Sequence, residues 1–152
     1  MKSFADKTFV IAVALAMILD VLPNPASAAT RQRVTLAFVA NQSADNISAY
    51  TIKPNGQLVA VTGSPFSAES SPNSVAVVPS GRFAYVADVI PGGVSGYSVS
   101  QNGVLTPVPG SPFATPAGTA FVTIDPSGRF LYALNCGADC SGSGPGDIAA
   151  YN

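Results

Sequence analysis

Pro79-Ser80-Gly81-Arg82-Phe83-Ala84-Tyr85-Val86-Ala87-Asp88 returns 47 residues later as Pro126-Ser127-Gly128-Arg129-Phe130-Leu131-Tyr132-Ala133-Leu134-Asn135. The second half of the phrase has an earlier copy, Phe38-Val39-Ala40-Asn41, at the same offset of 47. Working outward, Tyr50 maps onto Tyr97, Asn55-Gly56 onto Asn102-Gly103, and Gly63-Ser64-Pro65-Phe66 onto Gly110-Ser111-Pro112-Phe113. Residues 38–84 laid on 85–131 without a gap agree at 18 of 47 positions. Chance would give about three, so this is a true internal repeat, and its period of 40 to 50 residues restricts the fold more than any local propensity does.

Each unit reads as four short strands. Ser74 to Val78 is rich in β-branched residues. Pro79-Ser80-Gly81 is a tight turn, with Pro fixing φ and Gly giving a permissive backbone. Arg82 to Ala87 alternates, with Phe83, Tyr85 and Ala87 on one side and Ala84 and Val86 on the other. A loop at Pro91-Gly92-Gly93 precedes a third strand, Val94 to Val99. Asn102-Gly103 is a strong hairpin signal and leads to a fourth strand, Val104 to Val108. The polar loop from Gly110 to Gly118 crosses to the next unit. Four antiparallel strands per period make an all-β chain of β-propeller blades, which stack on one another because no blade buries both its faces alone. A β-sandwich of hairpins is the alternative, but it leaves the constant offset across turns and loops without a cause.

Composition agrees. Charged residues are 10 %, hydrophobic residues 47 %, and there are 14 Gly and 13 Pro. Few Lys and Glu argue against long exposed helices. The net charge is −1, and no basic stripe is present to neutralise phosphates, which argues against a nucleic-acid partner. The chain has no His, which removes the commonest general base and metal ligand together. Nothing in the residue pattern implies a cofactor or a metal.

The first 28 residues read as a secretory leader. Lys2 and Lys7 are followed by the apolar run Phe9 to Leu19, then Asp20, Pro23, Pro25 and the small-x-small pattern Ala26-Ser27-Ala28, with cleavage expected after Ala28. A membrane anchor is the other reading, but 11 apolar residues fall short of the roughly 20 that span a bilayer. Residues 29–33 then form a short linker, and 34–152 the repeat region. The mature protein is expected to be periplasmic or secreted, with no membrane span once the leader is removed.

Tyr85-Val86-Ala87-Asp88, with Pro79-Ser80-Gly81-Arg82-Phe83 before it, Ser95-Gly96-Tyr97 after it and Gly110-Ser111-Pro112-Phe113 further on, resembles the YVTN-type propeller repeat of the lactonase (6-phosphogluconolactonase-like) family. The resemblance runs from Val34 to Asn152. It implies a seven-bladed ring whose active site lies at one mouth of the central channel, assembled from several blades. Seven units of 47 residues need 329, whereas 124 follow the expected cleavage point. About two and a half blades are therefore expected, either as an N-terminal fragment of a longer ring, which is the favoured reading, or as one part of a ring built from several chains. The remaining blades are then the first partner to expect. Alone, such a section leaves apolar faces and strand edges uncovered and is expected to aggregate.

The Pro-Ser-Gly and Asn-Gly turns share one face of the blades and barely vary. Variable loops occupy the other, and function in such scaffolds sits on variable loops. Asp45, Asn46, Glu69, Asn73 and Asp88 are therefore the candidate ligand-binding residues, for a small molecule, a glycan or a protein. Asp and Asn also cap turns for purely backbone reasons, and no spaced acid–base pair is visible, so the catalytic residues stay unassigned. Arg82 and Arg129 recur once per unit, which suits a structural role better than a single site. The third unit is longer: Tyr97 to Tyr151 is 54 residues, with the extra seven between Cys136 and Asp147. Cys136 and Cys140 in an exported chain are expected to form a disulfide. Asp139 and Asp147 alone are too few to argue for Ca²⁺.

Two functions follow. One is a non-catalytic scaffold binding through its loop face. The other is a lactone-hydrolysing enzyme whose active site is completed by further blades, an inference resting on analogy.

Overall fold

The computed structural model describes residues 11–16, 34–115, 118–136 and 146–152. All the extended elements are antiparallel and fall into three sheets. The first joins β1 (Ile11–Ala16), β2 (Thr35–Asn41), β3 (Asn46–Ile52) and β4 (Leu58–Ala60), with β5 (Phe66–Ser67) also on β3. The second is β6 (Pro72–Val77), β7 (Phe83–Asp88), β8 (Gly93–Val99) and β9 (Leu105–Pro107). The third is β10 (Thr119–Ile124), β11 (Leu131–Asn135) and β12 (Asp147–Tyr151). These are successive propeller blades, and the middle one contains the four strands expected from the repeat. Their leading strands lie side by side: β6 contacts β1 on one flank and β10 on the other.

The segment Ile11–Ala16 forms a strand where the repeat pattern predicts no blade element. It lies inside the apolar core of the expected leader, yet it pairs with all but one residue of β2, from Ile11 opposite Asn41 to Ala16 opposite Leu36. It thus occupies the leading-strand position that β6 and β10 hold in their own blades. The physical reason is the open edge of β2, whose N–H and C=O groups need partners. The rest of the leader, the expected cleavage point and the 29–33 linker lie outside the described residues.

The turns are built as the sequence suggests, with one refinement. At the end of β8, Gly103 N–H donates to the Ser100 carbonyl at 2.9 Å and Ser100 N–H to the Val104 carbonyl at 3.0 Å. Gln101 and Asn102 are therefore the central residues, and Gly103, with φ +84°, is the bulge that follows. Gly56 repeats this, with φ +82° and its N–H on the Lys53 carbonyl. The Gly-Ser-Pro-Phe motif also has a mechanism. Its Gly has positive φ at both Gly63 and Gly110, and the Ser-Pro bonds Ser64-Pro65 and Ser111-Pro112 are cis. The serine hydroxyl then accepts a third-strand N–H, Ala49 to Ser64 and Gly96 to Ser111, both at 2.9 Å. At the Pro-Ser-Gly turn of the third blade, Asp125 accepts the N–H groups of Arg129 and Phe130, each at 2.8 Å, and bonds Ser127. These contacts, the Ser127 hydroxyl foremost, hold its carboxyl down at about 2. The Arg129 guanidinium lies 5.5 Å from the Phe130 ring centroid, so its cation meets a ring in its own turn.

Two apolar clusters hold the blades together. Phe38, Ile47, Ala49 and Leu36 of the first blade meet Val75, Ala84, Tyr97 and Leu105 of the second. Ala87 and Val94 of the second meet Val122, Leu131 and Ala133 of the third. Polar pins cross the same interfaces: the Tyr97 hydroxyl donates to the Ser67 carbonyl, the Tyr151 hydroxyl to the Ala114 carbonyl, both at 3.3 Å.

Gly103 gives a direct test of how tightly blades seat. A Cβ there would lie 2.7 Å from Leu36 Cδ2 and 3.0 Å from Val61, across the interface, whereas a Cβ on Gly56 meets nothing. Both replacements strain a left-handed backbone by about 1–2 kcal/mol. Gly103→Ala should add an overpacking cost of about 1–3 kcal/mol, so denaturant titration should show it clearly more damaging than Gly56→Ala.

Candidate functional site

The second strand of each blade ends in a polar residue at the loop face: Asn41, Asp88 and Asn135. In the outer two blades it is an amide stitched to its surroundings. Asn41 Nδ2 donates to Asn46 Oδ1 at 2.7 Å and Ser48 Oγ at 2.8 Å. Asn135 Nδ2 donates to Asp147 Oδ1 at 2.6 Å, and its Oδ1 accepts from Thr119 Oγ1 at 3.0 Å. The middle blade carries a carboxylate instead. Asp88 is 1 % exposed; its Oδ2 accepts a 2.6 Å hydrogen bond from Ser95 Oγ. Its Oδ1 is buried and has no hydrogen-bond partner among the described residues. Position 93, where the flanking blades place Asn46 and Asp147, is a glycine here.

That environment changes the group's chemistry. Burial pushes the Asp88 carboxyl up to about 6, opposed by the Ser95 hydrogen bond and reinforced by the negative charge of Glu69. Tyr97, buried nearby, is pushed up to about 12, first by burial and then by Asp88. A carboxyl titrating near neutrality can exchange a proton under physiological conditions, the property asked of a general acid or base.

The remaining candidates divide. Asp45, exposed with φ 50°, accepts the Ser71 N–H on Oδ1 at 2.7 Å and the Ala68 N–H on its carbonyl at 3.0 Å, tying down the crossing loop. Asn46 bonds Asn41 and the Ala44 carbonyl. Asn73 donates to the Ala120 carbonyl at 2.7 Å, joining the second blade to the third. Glu69 is exposed and reaches Asp88 and Tyr97 through its charge. Thus Glu69 and Asp88 come together, while Asp45, Asn46 and Asn73 hold the frame. Cys136 is disulfide-bonded, and Cys140 lies outside the described residues. Asp139 is also outside them; Asp147 belongs to the Asn135 stitch. Ser95 and Tyr97 join Asp88 beside the residues that the loop pattern predicts. The signal that points to them is the single Asp among Asn copies, together with the repeated Ser-x-Tyr at 48–50 and 95–97.

Residues 28–140 match the profile of the lactonase family of seven-bladed β-propellers. The chain belongs to that family. The lactonase-type fold also recurs in solved structures. A candidate 6-phosphogluconolactonase from Bacteroides uniformis superposes with a TM-score of 0.60 at 22 % identity, over 82 % of this chain and 33 % of that one. One from Bacteroides fragilis gives 0.59 at 21 %, over 66 % and 28 %. A protein of unknown function from Desulfotomaculum acetoxidans gives 0.59 at 22 %, over 66 % and 31 %. The matched part is thus about a third of each of those chains. No curated protein matches this lactonase-family chain.

Asp88 supplies a pH-dependent prediction. Its folded-state value of about 6 lies above the unfolded value near 3.8. Between those values the folded state holds a proton that the unfolded state has lost, so stability falls as pH rises from about 4 to 7. The total is of order 3 kcal/mol. Asp88→Asn, a residue the flanking blades accept at this position, should remove that loss. Denaturant titration should show the variant more stable at pH 7, with the difference gone at pH 4.

Proposed function

We propose that this lactonase-family chain is an exported propeller section acting as a binding scaffold through its loop face. The observation that carries the reading is the use made of the loop-face polar groups: Asp45, Asn46 and Asn73 are spent on loops and blade contacts. Such a face offers a fixed frame to a small-molecule, glycan or protein ligand. Two features support export. The leader pattern ends at Ala28, and the family match begins at residue 28. The disulfide at Cys136 suits an oxidising compartment, with Cys140 as its proposed partner.

Lactone hydrolysis is the second reading, and Asp88 is the observation that favours it. Ester cleavage in a lactone needs a base to activate water and a donor to stabilise the oxyanion. Asp88 has a suitable proton affinity for the first role. In this reading further blades complete the mouth and bring the second.

Gluconolactone and its 6-phosphate, followed by acid release at pH 7, separate the two readings. The scaffold reading expects no rate above buffer. A rate above buffer that is lost in Asp88→Asn would replace it with hydrolysis. For export, the chain recovered from the periplasm of an expressing bacterium should begin at Ala29 by terminal sequencing, the Ile11–Ala16 strand leaving with the leader and β2 losing that neighbour; an uncleaved product confined to the cytoplasm would refute the leader.

A further inference from the structure

The middle blade differs from its neighbours at the strand positions that flank Asp88. In the third blade Thr119 stands opposite Asn135 on the leading strand and donates to it at 3.0 Å, while Asp147 stands opposite on the third strand and accepts from it. The first blade likewise sets Asn46 against Asn41. The second blade puts Pro72 and Gly93 at those two places. Proline has no N–H to give and glycine has no side chain. Ser95 therefore serves one oxygen of Asp88, and the other is buried with no donor among the described residues. An ionised carboxylate accepts at both oxygens, so this setting tolerates the neutral acid and penalises the anion.

The loop that joins the first blade to the second, residues 67–71, lies against this carboxyl and carries Glu69. The Ala68 N–H donates to the Asp45 carbonyl at 3.0 Å, and the Ser71 N–H to Asp45 Oδ1 at 2.7 Å. From the second blade, the Val89 N–H donates to the Ser71 carbonyl at 3.1 Å, and the Tyr97 hydroxyl to the Ser67 carbonyl at 3.3 Å. Ser71 has φ 58°, where the next crossing loop has Gly118 with φ 47°. That left-handed backbone comes freely to glycine and not to serine, so loop 67–71 is closed under strain.

We propose that Asp88 is a proton-operated latch on loop 67–71: the neutral acid stays buried with the loop closed, and the carboxylate takes up water by lifting the loop, which uncovers this part of the loop face. Glu69 faces Asp88 from the loop itself and Tyr97 faces it from β8. Asp45 anchors the loop from the first blade. At this end β6 brings Pro72 and Asn73, β10 brings Thr119 and Ala120, and residues 89–93 bring no titratable group. The described cations, Lys53, Arg82 and Arg129, stand at the opposite ends of the strands. Among the described residues, then, no positive charge holds an ionised Asp88 in place, and Glu69 repels it. Burial has already moved this carboxyl up to about 6, so the latch works between mildly acid and neutral conditions. It rests on neither reading of the function, since binding and hydrolysis would both be exposed to it.

Amide hydrogen exchange of the full chain, read by NMR at about pH 5 and about pH 7.5 and corrected for the intrinsic rate, tests this. The reporters are the Val89 and Ala68 N–H groups, which the closed loop protects. With the carboxyl at about 6 in the closed form and near 3.8 once hydrated, their protection should fall roughly tenfold between the two conditions. The Gly81 N–H, bonded in a turn at the far end of the blade, should show no such excess. Both reporters should also exchange faster than the amide of Val86, which is fully buried. In Asp88→Asn the reporters should keep their protection at both conditions. Reporters that follow Gly81 with pH would overturn the proposal. So would reporters that exchange only as fast as Val86, because opening would then be global unfolding and not a latch. The comparison within the unaltered chain decides this even where the variant does not fold.

Discussion

A blade cannot cover its own faces, and everything else in this molecule depends on the next blade doing so. The equivalent positions Phe38, Tyr85 and Tyr132 show this directly: fully buried, half-buried and 39 % exposed along the chain. Ala40 and Ala87 are buried, while Leu134 is exposed at the same place. The residue type at each position remains apolar or aromatic; what changes is whether a neighbour stands against it. Burial of this surface is the dominant favourable term in such a stack, so stability is shared between blades and not owned by any one of them.

The repeat's polar and special residues serve that packing. Glycine at 63 and 110 turns the chain, and the following serine takes a third-strand N–H that has no strand opposite it. The tyrosines at 97 and 151 reach back to a carbonyl of the preceding blade. Asn73 reaches forward to Ala120. Each satisfies a backbone group that would otherwise be costly to bury, and each does so at an interface, where loss of register between blades would break it.

Asp88 departs from this economy. Its copies are asparagines with partnered amides, whereas its buried Oδ1 has no hydrogen-bond partner among the described residues. A buried carboxyl where the repeat otherwise places a partnered amide is where function is sought first. Membership of the lactonase family fixes the scaffold around it but not the chemistry, because unrelated activities share such folds.

The chain's covalent pattern alone determined the blade: the 47-residue offset, the Pro-Ser-Gly and Asn-Gly turns and the period-2 strands are local signals, and strands formed close to where they pointed. Loop-face candidates were legible as a group, since variable polar loops alternate with invariant turns. Their division was not. Asp45 is bound to Ser71, 26 residues away, and Asn73 to Ala120, 47 residues away; such pairings arise only when loops and blades pack. The partnership of Asp88 with Ser95 and Tyr97 needs antiparallel β7 and β8 to lie together and a neighbouring blade to exclude water. The place taken by Ile11–Ala16 is likewise tertiary: a leader core and a strand share one apolar pattern, and pairing with β2 depends on that strand's edge being open. Sequence sets which residues repeat; the tertiary structure decides which copies are covered, because burial depends on the neighbour and not on the residue.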